Sequence, residues 1–222
     1  MPLPLYQPLT VDRKAEPFSH PDWLFEIKWD GFRAFARIDH GRCKLVSRKG
    51  NEFKSFRSLT TSFTGLQAES AILDGEIVCV DESGKPQFYD LLLRRGEPRF
   101  VAFDLLWCEG QDLRYAPLFE RKHRLRSILP QDSEYVFYCD HVESAGEELF
   151  RISCENDLEG IVAKRKYDPY IAGQAQWLKI RNQNYSQWVG RHELFERERE
   201  GDPDLNLWDA CTLACESAIE LR

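Results

Sequence analysis

Lys28, Asp30 and Arg33 stand at fixed offsets in one strand-like stretch, Phe25-Glu26-Ile27-Lys28-Trp29-Asp30-Gly31-Phe32-Arg33-Ala34-Phe35. A lysine, an aspartate and an arginine gathered beside a bend suit a phosphate-containing ligand. Gly31 supplies the bend, because a glycine inside a strand pattern marks a bulge or a close backbone approach. A neutral lysine amine is a nucleophile toward phosphorus, so Lys28 is the candidate for covalent chemistry. Other polar residues also interrupt or flank apolar runs: Glu76, Asp104, Glu159, Lys164, Lys179 and Arg181. Singly, each is best read as the solvent side of a half-buried sheet. Together they supply the carboxylates and cations that a metal–nucleotide site needs.

The elements that must position these residues are short strands mixed with a few helices. Trp23 to Asp39 reads as an opening strand pair holding the Lys28 bend. Further strands are expected at Lys44–Arg48, Ala71–Val80 (interrupted by Asp74-Gly75-Glu76), Phe100–Trp107, Tyr135–His141, Gly160–Lys164 and Trp177–Arg181. Helices are expected over residues 57–69, Phe88–Arg95, Phe119–Leu129 and Ser144–Asn156. The pattern predicts an α+β fold of antiparallel sheets with packed helices, not a βαβ array. Residues 1–20, with Pro2, Pro4, Pro8 and Pro17, read as an extended leader across the domain surface. The main domain is expected over 21–189, and an acidic tail, helical at 191–200 and 205–221, over 190–222.

The 222 residues, 42% hydrophobic and 30% charged, describe a folded chain with a real core and not a disordered one. The net charge of -7 excludes a uniformly basic nucleic-acid binder but leaves room for a local basic patch. Most of the acidity belongs to the tail: Gly190 to Arg222 holds 4 basic and 9 acidic residues. The seven cysteines are scattered and odd in number, which reads as reduced thiols in a cytoplasm. Cys211 and Cys215 read as helix packing rather than a metal site. No signal peptide opens the chain, and no apolar run is long enough to span a bilayer.

The ordered motifs carry a family resemblance. Lys28-Trp29-Asp30-Gly31-Phe32-Arg33 is followed by Ser47-Arg48-Lys49-Gly50, Leu73-Asp74-Gly75-Glu76, Phe103-Asp104-Leu105-Leu106, Glu159-Gly160-Ile161-Val162-Ala163-Lys164 and Trp177-Leu178-Lys179-Ile180-Arg181. In this order they resemble the adenylation domain of ATP-dependent DNA ligases, within the covalent nucleotidyltransferase superfamily, and most of all bacterial end-joining ligases. The resemblance implies Lys28 as the site of AMP attachment, supported by Asp30. It implies Arg33 and Arg48 as ribose and phosphate contacts, Glu26 at the adenine edge and Phe103 as its stacking face. Glu76 is implied as ribose partner and metal ligand, Glu159 as metal carboxylate, and Lys179 and Arg181 as α-phosphate contacts, with Arg181 standing where the family usually has a lysine. ATP and Mg²⁺ are the implied cofactors. Nicked double-stranded DNA is the implied partner, in repair and recombination, in a bacterial-type cytoplasm at the nucleoid.

The 41 residues after Arg181 are fewer than the OB-fold of a complete ligase needs. Three functions therefore remain open: a DNA ligase or its catalytic core, an RNA ligase-like nucleotidyltransferase, or an adenylation or partner-binding module that does not seal. A partner chain supplying the OB-fold is compatible with the first and third. An NAD-dependent ligase fits less well, because the leader is short for a nicotinamide-recognising domain.

Overall fold

The structure, a computed structural model, describes residues 3–188. The strands in chain order are β1 (Asp12–Arg13), β2 (Trp23–Ile27), β3 (Phe32–Asp39), β4 (Arg42–Ser47), β5 (Ser70–Val78), β6 (Arg99–Cys108), β7 (Gln111–Asp112), β8 (Val136–Tyr138), β9 (His141–Glu143), β10 (Gly160–Arg165) and β11 (Trp177–Arg181). The helices are α1 (Arg57–Thr60), α2 (Phe88–Leu92), α3 (Leu118–Ile128) and α4 (Gly146–Glu155). One sheet runs β1-β11-β10-β2-β9 and the other β4-β3-β5-β6-β7, with β8 added to β6.

The two sheets enclose a core of Leu9, Phe35, Ile72, Leu106, Tyr170 and Trp177. The outer face of the second sheet packs on α1, α2 and α3 through Leu59, Leu91, Leu125 and Ile128. The outer face of the first packs Phe25, Ile161 and Ile180 on Leu149 and Phe150 of α4. β5 is buried along nearly its whole length and is apolar enough to sit at the centre of its sheet. Helix α3 starts after Pro117 and has Glu120 in its first turn and Arg126 in its last, matching the macrodipole.

Several expectations change. β2 and β3 are not a pair: β2 joins β10 and β9, whereas β3 joins β4 and β5. Residues 28–31 are therefore the crossing from one sheet to the other. The 135–141 strand is likewise divided, with β8 parallel to β6 and β9 antiparallel to β2. β1–β11 is also parallel, so the sheets are mixed and not wholly antiparallel. The helix expected at 57–69 is only α1 flanked by 3-10 turns at Lys54–Phe56 and Thr61–Phe63, consistent with its Ser and Thr content. The Asp74-Gly75-Glu76 segment does not interrupt β5; it shifts register against β6 at Ile72/Leu73 and Asp74/Gly75.

The leader segment is tied down. Leu9 is buried, β1 pairs with β11, and Arg37 donates to the carbonyls of Pro4 (2.6 Å) and Leu3 (3.0 Å). Cys43, Cys79, Cys108, Cys139 and Cys154 are free thiols. Cys211, Cys215 and the two tail helices expected at 191–200 and 205–221 lie outside the described residues. Among the described residues, no helix is long and apolar enough to cross a membrane.

Candidate active site

Lys28 sits where the chain leaves β2. Its backbone N–H donates to the Gly160 carbonyl at 2.9 Å, which sets it beside Glu159 at the mouth of β10. Gly160 must be glycine: its φ is +132°, and a Cβ there would lie 2.1 Å from the Ile180 carbonyl oxygen. The result is a contact of 2.5 Å between Lys28 Nζ and Glu159 Oε2, across 131 residues of sequence. Glu159 is 3% exposed and Lys28 20% exposed, so the lysine side chain keeps some contact with solvent while its carboxylate partner does not.

The remaining charges close around this pair. Arg181 Nε lies 4.0 Å from Glu159 Oε1, and its guanidinium stacks 4.6 Å from the Trp188 ring. Asp30 is buried and accepts a hydrogen bond from the Tyr185 hydroxyl at 2.8 Å. Gly31 lets the crossing pass against β5, since a Cβ would lie 2.0 Å from the Ile77 oxygen. Burial lifts the Glu159 carboxyl above the usual range; Lys28 opposes that and Asp30 adds to it. Burial also pushes Glu76 to about 8, with Lys28 and Arg33 pulling it down and the carboxylates of Glu159 and Asp30 pushing it up. Lys179 is lowered by burial first, then by the positive charges of Arg181 and Lys28. Lys28, Asp30, Glu76, Glu159, Lys179 and Arg181 thus form one electrostatic unit around the crossing between the sheets.

Three residues expected to contact the nucleotide also have partners within the protein. Arg33 makes a two-pronged pair with Asp74 (Nε to Oδ1 3.1 Å, Nη2 to Oδ2 2.7 Å) and donates to the Leu9 carbonyl at 2.7 Å. Its guanidinium also lies 5.5 Å from the Phe103 ring. Glu26 is held between Lys122, which bonds Oε1, and Lys164, whose Nζ is 2.6 Å from Oε2. Burial pulls the Glu26 carboxyl upward, but the two ammoniums outweigh it and hold it below the usual range. Phe103 is half-buried, edge-on to Trp177 at 6.0 Å, with Lys164 Nζ 4.3 Å from its centroid. Arg48 stands apart on the exposed turn after β4 and makes no ion pair among the described residues.

The sequence did not point to Lys122, Asp74, Tyr170 or Tyr185. Lys122 was hidden in a run of basic residues on α3, yet it is 1% exposed and also donates to the Cys139 carbonyl at 3.0 Å. Tyr170 donates to Asp74 Oδ2 at 2.6 Å and accepts from the Leu9 N–H at 3.1 Å. The one available clue was Asp74 itself, an acidic residue in an otherwise apolar strand.

Solved structures share this architecture. A mycobacterial DNA ligase D complexed with ATP and MES is 28% identical, with a TM-score of 0.68 over 79% of this chain and 60% of that one. The ligase domain of LigD from M. tuberculosis is 28% identical, with a TM-score of 0.67 over 79% and 59%. The class is therefore the nucleotidyltransferase domain of DNA ligases. A family model for the ATP dependent DNA ligase domain matches residues 7–181, and the chain belongs to that family. The multifunctional non-homologous end joining protein LigD of Pseudomonas aeruginosa is 32% identical over 76% of this chain, which spans 21% of that protein. The SPbeta prophage-derived DNA ligase-like protein LigB of Bacillus subtilis is 29% identical over 81% of this chain and 68% of its own length. The chain thus spans about a fifth of the length of the P. aeruginosa LigD it matches.

Proposed function

We propose that the chain takes AMP from ATP onto Lys28 and passes it to a 5′-phosphate at a nick in duplex DNA, which is then sealed. The observation that carries this is the Lys28 amine, 2.5 Å from Glu159 and grouped with Lys179 and Arg181 beside the crossing between the sheets. The Lys28 amine attacks the α-phosphorus, so an N–P bond forms, the bond to pyrophosphate breaks and the amine sheds its proton. Lys179 and Arg181 neutralise charge that grows on the phosphate oxygens. Asp30, fixed by Tyr185, supports the nucleophile. Glu26 and Phe103 line the place for the base, and Arg33, with Glu76 across the strand pair, the place for the ribose. Oxygen of the DNA 5′-phosphate next displaces the lysine, and the 3′-hydroxyl then displaces AMP.

Mg²⁺ fits this donor set. Among the described residues no group of three or more His, Cys, Asp or Glu is placed to hold a metal. Mg²⁺, however, is commonly held by one or two carboxylates with substrate phosphates and water. Glu159 and Glu76 would hold it, and its charge would favour ionised carboxylates and the neutral amine of Lys28.

Support for DNA as the substrate comes from the family and from the ligase relatives. The full chain incubated with Mg²⁺ and ATP, GTP or NAD should gain AMP on Lys28 with ATP alone, read by mass spectrometry of the peptide. Lys28→Met should gain none. No adduct with any of the three nucleotides refutes the proposal. An adduct without sealing of nicked DNA, or with sealing of nicked RNA only, refutes its second half and leaves an adenylating module that works with a partner or on RNA.

A further inference from the structure

The chain does not leave the site when β11 ends. Residues 182–188 run on from Arg181 and bond, in turn, to each part of the fold that meets around Lys28. Asn182 donates its N–H to the Glu159 carbonyl and its Nδ2 to the Leu158 carbonyl, both at 3.0 Å. The Tyr185 hydroxyl donates to Asp30 Oδ2 at 2.8 Å, across 155 residues of sequence. Ser186 donates its N–H (2.8 Å) and its hydroxyl (2.6 Å) to Asp157, whose carboxylate also holds Lys85 at 2.5 Å. Gln187 accepts from the Phe88 N–H at 2.8 Å and donates to the Pro86 carbonyl at 2.6 Å. Trp188 then folds back over the Arg181 guanidinium.

These partners belong to different parts of the fold. Asp157, Leu158 and Glu159 lead into β10 of the first sheet. Lys85, Pro86 and Phe88 lie beyond β5 of the second, where Val80 pairs with Pro86, and the Phe88 ring packs on Phe32 just past the crossing. Asp30 is in the crossing itself. The grip on the site is strongest at Tyr185. Asp30 and Tyr185 are 4% and 2% exposed, and a hydroxyl donating to a buried carboxylate makes a short, directional bond. The Tyr185 and Trp188 rings meet edge-on at 6.3 Å, so the contact with Asp30 and the contact with Arg181 are carried by one packed unit. A segment that only docked its backbone would not need side chains directed at two charged residues of the site.

We propose that residues 182–188 are a brace that sets the geometry for nucleotide loading, with Tyr185 as a positioning residue for Asp30 and with Ser186 and Gln187 as its anchors. This rests on the ligase reading above and deepens it. The brace acts through Asp30 and Arg181 and supplies no group to the reaction itself. Its effect therefore falls on how the Lys28 amine lines up with the α-phosphorus, where a shift of about 1 Å can cost about 100-fold, and not on affinity for ATP.

The test follows AMP loading of Lys28 in the full chain against ATP concentration, at a temperature where urea unfolding shows each variant to be folded. Tyr185→Phe keeps the ring against Trp188 and removes only the hydroxyl. It should lower the maximal loading rate about 10-fold and leave the half-saturating ATP concentration within about 2-fold of wild type. Ser186→Ala/Gln187→Ala, which loosens the anchors, should show the same split with a loss of about 3–10-fold. Adding Tyr185→Phe to that pair should cost no more than about 2-fold beyond Tyr185→Phe alone, because both changes release the same carboxylate. A Tyr185→Phe rate within about 2-fold of wild type, a loss confined to the half-saturating concentration, or losses that simply multiply would overturn the proposal. Wild type that gains no AMP overturns the ligase reading and the brace with it, whereas wild type that loads no faster than Tyr185→Phe overturns the brace alone.

Discussion

Glu26→Gln tests how the buried charges beside the base site are balanced. One carboxylate, 2% exposed, holds two ammoniums that are themselves 1% exposed. The substitution leaves Lys122 and Lys164 facing each other without the carboxylate they share. Removing one partner of a buried pair costs about 3–5 kcal/mol. At about 2–4 °C per kcal/mol for a chain of this size, the melting temperature should fall by about 6–20 °C at pH 7. Lys122→Met should be milder, because it leaves the one-to-one pair of Lys164 Nζ and Glu26 Oε2 at 2.6 Å. Combining Glu26→Gln with Lys122→Met should recover part of the loss, a coupling of about 1–3 kcal/mol. The sign in acid follows from the lowered carboxyl: its contribution is full above the usual value of 4.5 and is lost as pH falls through the depressed folded value. Thermal unfolding followed by circular dichroism checks all of this. A drop below about 3 °C for Glu26→Gln, or strict additivity in the double variant, would refute the shared-carboxylate account.

Other outcomes are equally specific. Gly31→Ala would put a Cβ 2.0 Å from the Ile77 oxygen, so the sheet crossing must shift; AMP loading of Lys28 should slow about 10–100-fold, and a wild-type rate would refute the steric argument. Tyr170→Phe removes bonds to Asp74 and Leu9 and should cost about 1.5–3 kcal/mol in urea unfolding; a loss under about 0.5 kcal/mol would contradict it. In the ligand-free chain, Glu76 keeps a proton between 4.5 and about 8 that the unfolded chain has released, so its contribution to stability falls as pH rises through that window. Glu76→Gln should flatten that fall, and urea midpoints that vary with pH as in wild type would count against the raised value.

The candidate site was legible in the sequence where polar residues interrupt or flank apolar strands. Lys28, Glu76 and Glu159 stand out for that reason, and their ordered motifs led to the family. The partners of Glu26 and Arg33 were not legible. Lys122 meets Glu26 across 96 residues, and Tyr170 meets Arg33 across 137, from a helix and a loop whose local sequence gives no sign of burial. The crossing at 28–31 was legible as a bend but not as a change of sheet. Alternation of side chains is the same whether two consecutive strands pair with each other or with distant ones.

That crossing also times the birth of the site. β3, β4, β5 and β6 find their partners among one another, in the order β4-β3-β5-β6, so most of the second sheet can form early. β2 waits for β9 and β10, and the lysine at its end meets a residue made 131 positions later. At typical elongation rates of about 5–20 residues per second, that is an interval of roughly 7–26 s. Throughout it, the amine has neither Glu159 nor Lys179 beside it. On the proposed chemistry, an unfinished polypeptide would lack the carboxylate and cation that loading needs, and loading would begin only when the last strand has been laid down.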